Sequence, residues 1–135
     1  MDKILGGDDE RSCHVTVTVP SSDGSFSIVD NHVGHGNAPT IHLDGTDIHF
    51  QFYNNGQFSS AIRLKSASGN YLVVAASNPR VGYNKTKAYY GGDSSKTPES
   101  VWGSMYKWGE CDGNIKKGDG IDRYDSPSKF SYKVV

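Results

Sequence analysis

Apolar and polar residues alternate along several short segments of the chain, which is the pattern of a β-strand with one buried face. In residues 48–52, Ile-His-Phe-Gln-Phe, the apolar side chains occupy every second position, and residues 61–65 and 71–76 follow as further strand-like segments. The turn-forming residues Asn54-Asn55-Gly56 and Ser66 to Asn70 separate these segments. The pattern therefore predicts a three-stranded antiparallel meander over residues 48–76.

Other alternating segments flank this meander. They predict strands at residues 14–19, 25–29, 40–43, 86–90 and 129–135, the first two forming a hairpin through the turn at 21–24. Thr97 followed by Pro98 is typical of a helix start, which predicts one short helix near residues 98–107. The polar, glycine-rich stretches 30–39 and 109–125 are predicted to be loops.

No internal repeat is visible, so these elements favour a single all-β domain, an antiparallel β-sandwich, over a propeller or trefoil. We expect residues 1–12 to form a flexible N-terminal arm and residues 13–135 to form the domain. The 16 glycines and 8 tyrosines among 135 residues suit short strands and many turns.

The charge balance narrows the range of partners. With 14 Lys and Arg against 15 Asp and Glu, the net charge is -1, so nucleic acid is a poor partner. The first eleven residues carry no apolar run of the length of a signal peptide or membrane span, which predicts a cytoplasmic protein. The two cysteines, Cys13 and Cys111, do not form a disulfide framework, and we expect both to remain thiols.

The most metal-like cluster is His32 and His35, with Asp30 beside them. A zinc site needs three or four rigidly held ligands, and this glycine-rich loop offers two imidazoles and one carboxylate. The alternative is a pair of solvated loop histidines. We therefore predict neither a metal nor another cofactor.

Catalysis is a second class of function. His14, His42 and His49 fall on polar strand faces, and His49 or His14 with Glu99 or Glu110, together with Arg63, has the residue types of a small ribonuclease. Such groups occur on many β proteins, and a nucleophile elbow of the Gly-x-Ser-x-Gly type is absent, so we expect a protein that is not an enzyme. A third reading is a membrane-active or inhibitory defence protein that uses the aromatic segment from Trp102 to Trp108.

Carbohydrate binding fits the remaining polar loops. Neutral sugars require amide and hydroxyl partners together with an aromatic ring for their apolar face. The loop residues of these types are Asn54, Asn55, Ser59, Asn78, Arg80, Tyr83, Asn84, Tyr89, Tyr90, Asp93 and Ser94. Single sites of this kind are weak, so several sites in a homo-oligomer would raise avidity.

Residues 25–29, 59–69 and 89–92, in this order, resemble successive segments of the fungal fruit-body lectins over about residues 13–95. This resemblance implies an actinoporin-like β-sandwich, a fungal defence role and assembly into tetramers. It also implies binding of galactose/N-acetylgalactosamine- or N-acetylglucosamine-type glycans, with membrane contact only through glycans. By position, Asn78 would hydrogen-bond the sugar, with Ser59 and Gly56 on the facing loop, and Tyr89 or Tyr90 would stack on the ring.

Overall fold

Two five-stranded sheets pack face to face in the computed structural model, which describes residues 10–79, 84–107, 109–118 and 128–135. The first sheet has the strand order β3-β4-β1-β10-β9, and the second has the order β2-β5-β6-β7-β8. The strands are β1 (Glu10–Thr18), β2 (Phe26–His35), β3 (Thr40–Asp44), β4 (Asp47–Asn55), β5 (Phe58–Ser66), β6 (Tyr71–Asn78), β7 (Lys85–Gly91), β8 (Glu110–Gly113), β9 (Ile115–Lys117) and β10 (Ser128–Val134). The predicted all-β sandwich is confirmed.

The core lies between the sheets, where alternate residues of facing strands meet. Val15 and Val17 of β1 and Phe50 and Phe52 of β4 are buried, and their neighbours in sequence point to the outer face. Leu72 of β6 packs from the second sheet. The alternation in the sequence therefore identifies the buried faces of β1 and β4 correctly, whereas β6 and β7 are buried on both faces.

The pairing of these strands differs from the prediction. Strand β4 belongs to the first sheet and β5 to the second, so the predicted meander over residues 48–76 is wrong, and the antiparallel meander is β5-β6-β7 instead. Likewise β1 and β2 lie in different sheets and do not form the predicted hairpin. Alternation shows which face of a strand is buried, but both sheets bury a face in the same core.

Two predicted loops contain strands. Residues 30–35 extend β2, and β8 and β9 lie within the stretch 109–125. Strand β2 is an edge strand with exposed side chains on both faces, so it needs no alternation. Strand β8 pairs in parallel with β7, and β1 pairs in parallel with β10, so neither sheet is purely antiparallel. Strand β1 also begins at Glu10, within the segment expected to be an arm.

The predicted helix is present but shorter than expected. Helix α1 spans Pro98–Gly103, and the Thr97 side chain accepts a hydrogen bond from the backbone N–H of Ser100. Val101 and Trp102 pack on the outer face of the second sheet, the face turned away from the first sheet. Within the described ranges, the helical structure has neither the length nor the apolar content needed to cross a membrane.

No disulfide joins Cys13 and Cys111, as expected. Cys13 lies on β1 in the core, and burial raises the pKa of its thiol to about 12, with a hydrogen bond to Ser128 opposing this shift.

Candidate functional site

A polar cleft of about 290 Å³ lies on the outer face of the second sheet, where helix α1 meets strands β7 and β8. We call it the α1 cleft. The strands contribute two charged side chains, the segment before the helix contributes Ser95 and Lys96, and the helix and its C-terminal cap contribute small side chains. The lining residues are Lys87, Ser95, Lys96, Ser100, Val101, Ser104 and Asp112.

The segment between β7 and α1 is shaped by hydrogen bonds of Asp93. The Asp93 carboxylate accepts hydrogen bonds from the backbone N–H and the hydroxyl of Ser95, and these bonds lower the pKa of Asp93. The backbone N–H of Asp93 donates to the Tyr89 hydroxyl at 3.0 Å. These contacts fix the wall of the α1 cleft that carries Ser95 and Lys96.

The charges of the α1 cleft are paired. Lys96 Nζ lies 2.8 Å from the Asp112 carboxylate, and this hydrogen bond raises the pKa of Lys96. Lys87 Nζ donates to the Ser104 hydroxyl at 2.7 Å and lies 3.6 Å from the Glu110 carboxylate. Two ammonium groups thus face two carboxylates, and the cleft offers both donors and acceptors without excess charge of one sign.

An exposed aromatic residue, Tyr106, lies two positions after Ser104, which lines the α1 cleft. The backbone N–H of Tyr106 is 3.5 Å from the Glu110 carboxylate, the same side chain that pairs with Lys87. Tyr106 is 67% exposed, more than Tyr53, which is 49% exposed. The Lys107 ammonium lies 5.7 Å from the centre of the Tyr106 ring. An exposed aromatic ring suits a sugar, which has an apolar C–H face and a polar edge.

The predicted sugar-binding residues divide into separate regions. Asn54 and Asn55 end β4 and Gly56 follows in the β4–β5 connection, where Asn54 Nδ2 donates to the backbone carbonyl of Gln57 at 2.8 Å. Asn78 lies at the same end of the sandwich, because Arg11 pairs with Asn54 in the sheet and donates to Asn78 Oδ1 at 2.9 Å. Asn78 is buried, so its amide faces this end of the core and not an open surface.

Tyr89, Tyr90 and Ser59 also make contacts within the protein. Tyr89 and Tyr90 are each 5% exposed, so neither ring offers the free face that stacking on a sugar would require. The Tyr90 hydroxyl donates to the Asp23 carboxylate in the interior. Ser59 accepts a hydrogen bond from the Trp102 indole at 2.5 Å, which attaches helix α1 to strand β5. Arg80 and Tyr83 lie outside the described residues.

The sequence therefore indicates the neighbourhood of the α1 cleft only through Tyr89 and the segment that follows it. Lys87, Lys96 and Asp112 were missed. Lys87 alternates with Tyr89 on β7, which is a signal for a shared face. Asp112 carries no comparable signal, because its strand was predicted to be a loop.

The residues of the ribonuclease hypothesis lie on opposite faces of the sandwich. His14 and His49 are on the outer face of the first sheet, with His14 Nε2 and His49 Nδ1 2.9 Å apart. Burial is the main cause that lowers the pKa of His14, followed by the charges of His49 and Lys129. Arg63 and Glu110 are on the second sheet, and Glu99 is on α1. The two sheets separate these histidines from the carboxylates and the arginine proposed to act with them.

The three members of the candidate metal cluster point to different partners. The guanidinium of Arg63 binds both carboxylate oxygens of Asp30 at 2.8 Å, and the His32 ring lies 4.4 Å from the Trp102 ring. His35 is exposed at the end of β2. Across residues 10–79, 84–107, 109–118 and 128–135, no group of three or more His, Cys, Asp or Glu side chains is placed to hold a metal.

Comparison with known proteins extends the description of the fold. No protein-family model matches the chain, and no curated protein sequence matches it. The lectin XCL of Xerocomus chrysenteron is 15% identical to this chain. A structure of a mutated form of this lectin gives a TM-score of 0.49, with 93% of this chain and 96% of the lectin chain covered. The wild-type structure gives a TM-score of 0.46, with 91% of this chain and 97% of the lectin chain covered. The lipid binding protein Nakanori is 10% identical, with a TM-score of 0.59 over 91% of this chain and 70% of that chain. The resemblance to a fungal lectin is thus a loose one, and the similarity to Nakanori shows that the chain shares the fold of that protein.

Proposed function

We propose that this protein binds carbohydrate in the α1 cleft, without breaking bonds. The supporting observation is the paired charge of the cleft, with Lys96 on Asp112 and Lys87 near Glu110, among three serine hydroxyls. A ligand with a net charge gains little from such a site, because each charge already has a counterion. A neutral ligand with many hydroxyl groups can both donate to the carboxylates and accept from the ammonium groups.

The proposal changes the residues expected to bind the sugar. Asp112 and Lys96 provide the charged hydrogen-bonding groups, and Tyr106 provides the ring that Tyr89 and Tyr90 cannot provide from the core. Each hydrogen bond to a sugar replaces one to water and contributes about 0.5–1.5 kcal/mol. We therefore expect weak single sites, and we propose that oligomers of the chain raise their avidity.

A glycan array at neutral pH, followed by calorimetric titration with the best glycan, tests this proposal. Galactose-, N-acetylgalactosamine- and N-acetylglucosamine-terminated glycans are the first to include. We expect Asp112→Ala and Tyr106→Ala to weaken binding about three- to tenfold, the range that corresponds to one lost hydrogen bond or ring contact.

Tyr53→Ala is the matched control, because Tyr53 is 49% exposed on β4 of the first sheet, on the opposite side of the sandwich. This variant should bind like the parent. An array without any bound glycan would contradict the proposal. So would a titration in which neither Asp112→Ala nor Tyr106→Ala differs from Tyr53→Ala.

A second candidate function is binding to a lipid surface. An apolar cleft of about 390 Å³, which we call the edge cleft, lies near the ends of β2, β3 and β4, with Val19, Phe26, Leu43 and Ile48 in its lining. Leu43 is 52% exposed, and Ile28 on the neighbouring strand β2 is 58% exposed. Nakanori, which shares the fold, is a lipid-binding protein. Exposed apolar side chains around an apolar cleft suit the hydrocarbon part of a lipid.

Vesicle co-sedimentation separates the two functions. The vesicles are phosphatidylcholine alone, phosphatidylcholine with sphingomyelin and cholesterol, and phosphatidylcholine with a glycolipid. If the edge cleft binds lipid, all three should retain the parent protein, and Leu43→Ser should release it. Asp112→Ala should leave this binding unchanged. Retention that depends on Asp112, or retention only on vesicles with glycolipids, would favour carbohydrate binding alone.

A further inference from the structure

Two imidazoles and a hydroxyl converge on the outer face of the first sheet. His14 and Thr16 point outward from β1, and His49 points outward from β4, directly paired with Thr16 in the sheet. His14 Nε2 and His49 Nδ1 are 2.9 Å apart. Thr16 Oγ1 is 3.4 Å from His14 Nε2 and 3.3 Å from His49 Nδ1. The three atoms form a nearly equilateral triangle on a half-buried surface.

We propose that His14 and His49 bind one divalent transition-metal ion, with Thr16 Oγ1 as the third atom of the site. Metal–nitrogen bonds of about 2.0–2.1 Å place neighbouring ligand atoms about 2.9–3.4 Å apart in octahedral or tetrahedral geometry. The triangle formed by His14, His49 and Thr16 has sides in this range. The ring centres of His14 and His49 are 5.1 Å apart, so the two nitrogens now point at each other. When both rings turn their lone pairs to one side, an ion about 1 Å above the plane reaches all three atoms at that bond length.

The chemistry of the ligands selects the class of metal. Neutral imidazole suits Zn²⁺, Ni²⁺ and Cu²⁺, whereas Mg²⁺ and Ca²⁺ prefer oxygen ligands. With two imidazoles, the remaining coordination positions are filled by the hydroxyl and by water. His42 is the next imidazole on this face, but its ring centre is 6.0 Å from that of His49, so it is not a member of the triangle.

Metal binding replaces the hydrogen bond between the two histidines. Without metal, one ring of the pair donates its N–H to the other at the 2.9 Å contact. With metal, both nitrogens of this contact present lone pairs, so the donor ring carries its proton on its other nitrogen instead. For two neutral rings this change of tautomer releases no net proton.

Calorimetric titration of the tag-free full chain with Zn²⁺ and Ni²⁺ at pH 7.5 tests the proposal. We expect one ion per chain, and EDTA should remove it. His14→Ala and His49→Ala should each lower the affinity for the ion at least tenfold, because substituting a residue that only hydrogen-bonds a metal ligand already lowers metal affinity about 10–100-fold. His35→Ala is the matched control, since this exposed histidine lies on the other sheet, and it should bind like the parent.

A second readout separates the site from loss of folding. In ¹H–¹⁵N spectra of the parent, the first equivalent of Zn²⁺ should shift the side-chain resonances of His14 and His49 and leave those of His32 and His35 in place. His14→Gln keeps a hydrogen-bonding side chain at this position and should remain folded but bind weakly. Absence of binding at one equivalent, or equal losses in the His14, His49 and His35 variants, would overturn the proposal.

Discussion

The hydroxyl of Tyr90 donates a hydrogen bond to the carboxylate of Asp23, 67 positions earlier in the chain. Ser68 Oγ and Asn70 Nδ2 donate to the other oxygen of the same carboxylate, at 2.7 and 3.1 Å. Asp23 ends a short 3-10 turn between β1 and β2, Ser68 and Asn70 belong to the β5–β6 turn, and Tyr90 is on β7. One buried carboxylate therefore joins three parts of the fold.

Removing the Tyr90 hydroxyl should destabilise the protein. In Tyr90→Phe the Asp23 carboxylate keeps two donors and loses the third, and hydrogen bonds to charged groups contribute about 1.5–3 kcal/mol. We expect the free energy of unfolding in urea at pH 7 to fall by this amount. Tyr106→Phe, at an exposed ring, should change it by less than about 0.5 kcal/mol. Equal stabilities of the two variants would contradict the role of the Asp23 network.

The same network predicts a dependence on pH. Burial acts to raise the pKa of Asp23, but the hydrogen bonds from Tyr90, Ser68 and Asn70 outweigh it, so the pKa is lowered in the folded state. The ionised carboxylate thus stabilises the fold above the unfolded pKa of about 3.9, and this contribution is lost as the pH falls through the folded value. Thermal unfolding between pH 7 and pH 2 should show Asp23→Asn less stable at neutral pH and a gap to the parent that narrows in acid.

Two glycines with positive φ offer a matched comparison. Gly113 has φ 79°, and a Cβ there would overlap the backbone carbonyl of Tyr90; Gly45 has φ 63°, with no described heavy atom within 4 Å of such a Cβ. Gly45→Ala should cost about 1–2 kcal/mol from the backbone conformation alone. Gly113→Ala should carry this cost and about 1–3 kcal/mol more, because the new Cβ overlaps its neighbour. Denaturant unfolding of both variants checks the difference, and equal losses would contradict the close approach of β7 and β8.

The cysteines should differ in reactivity. The Cys13 thiol is buried and has a pKa of about 12, whereas Cys111 is partly exposed on β8. Because the thiolate is the reactive form, Ellman's reagent at pH 8 should modify Cys111 in the folded protein and reach Cys13 only after unfolding. Cys111→Ser should therefore show almost no reaction without denaturant. Fast modification of Cys13 in this variant would show that β1 opens readily.

The helix cap supports the shape of the α1 cleft. Thr97 Oγ1 accepts the N–H of Ser100, and Ser100 and Ser104 line the cleft. Thr97→Ala should cost about 1 kcal/mol of stability, whereas Thr97→Ser keeps the hydroxyl and should cost little. Thermal unfolding of the two variants measures the difference. If both lose the same stability, the hydroxyl is not the source of the effect.

The sequence predicts the strands of this fold better than their pairing. The alternation in residues 48–52 correctly places Ile48, Phe50 and Phe52 in the core, but the same alternation fits a strand of either sheet. Asn54 and Gly56 provide a tight turn, and the chain uses it to pass from one sheet to the other. Strands β8 and β9 were missed because they are short edge strands, each with one neighbouring strand among the described residues.

The candidate site was harder to predict for a related reason. Lys87 and Asp112 are 25 residues apart in sequence and become neighbours through the parallel pairing of β7 and β8, which no local pattern shows. Tyr89 and Tyr90 have the right chemistry for sugar stacking, but alternation in β7 directs one ring into each of the two apolar clusters. A residue type thus indicates which ligands its side chain could bind, and the burial of that side chain decides whether a ligand can reach it.

Strand β1 lies in the middle of its sheet between β4 and β10, and its contact with β10 joins positions more than 100 residues apart, as in the hydrogen bond from Ser128 to the backbone of Ser12. During synthesis, the ribosome must deliver almost all of this sequence before that side of β1 can be covered. Until then β1 has an unpaired strand edge, and such edges make partly folded chains prone to aggregation. We therefore expect the first sheet to be completed only when β10 has been synthesised.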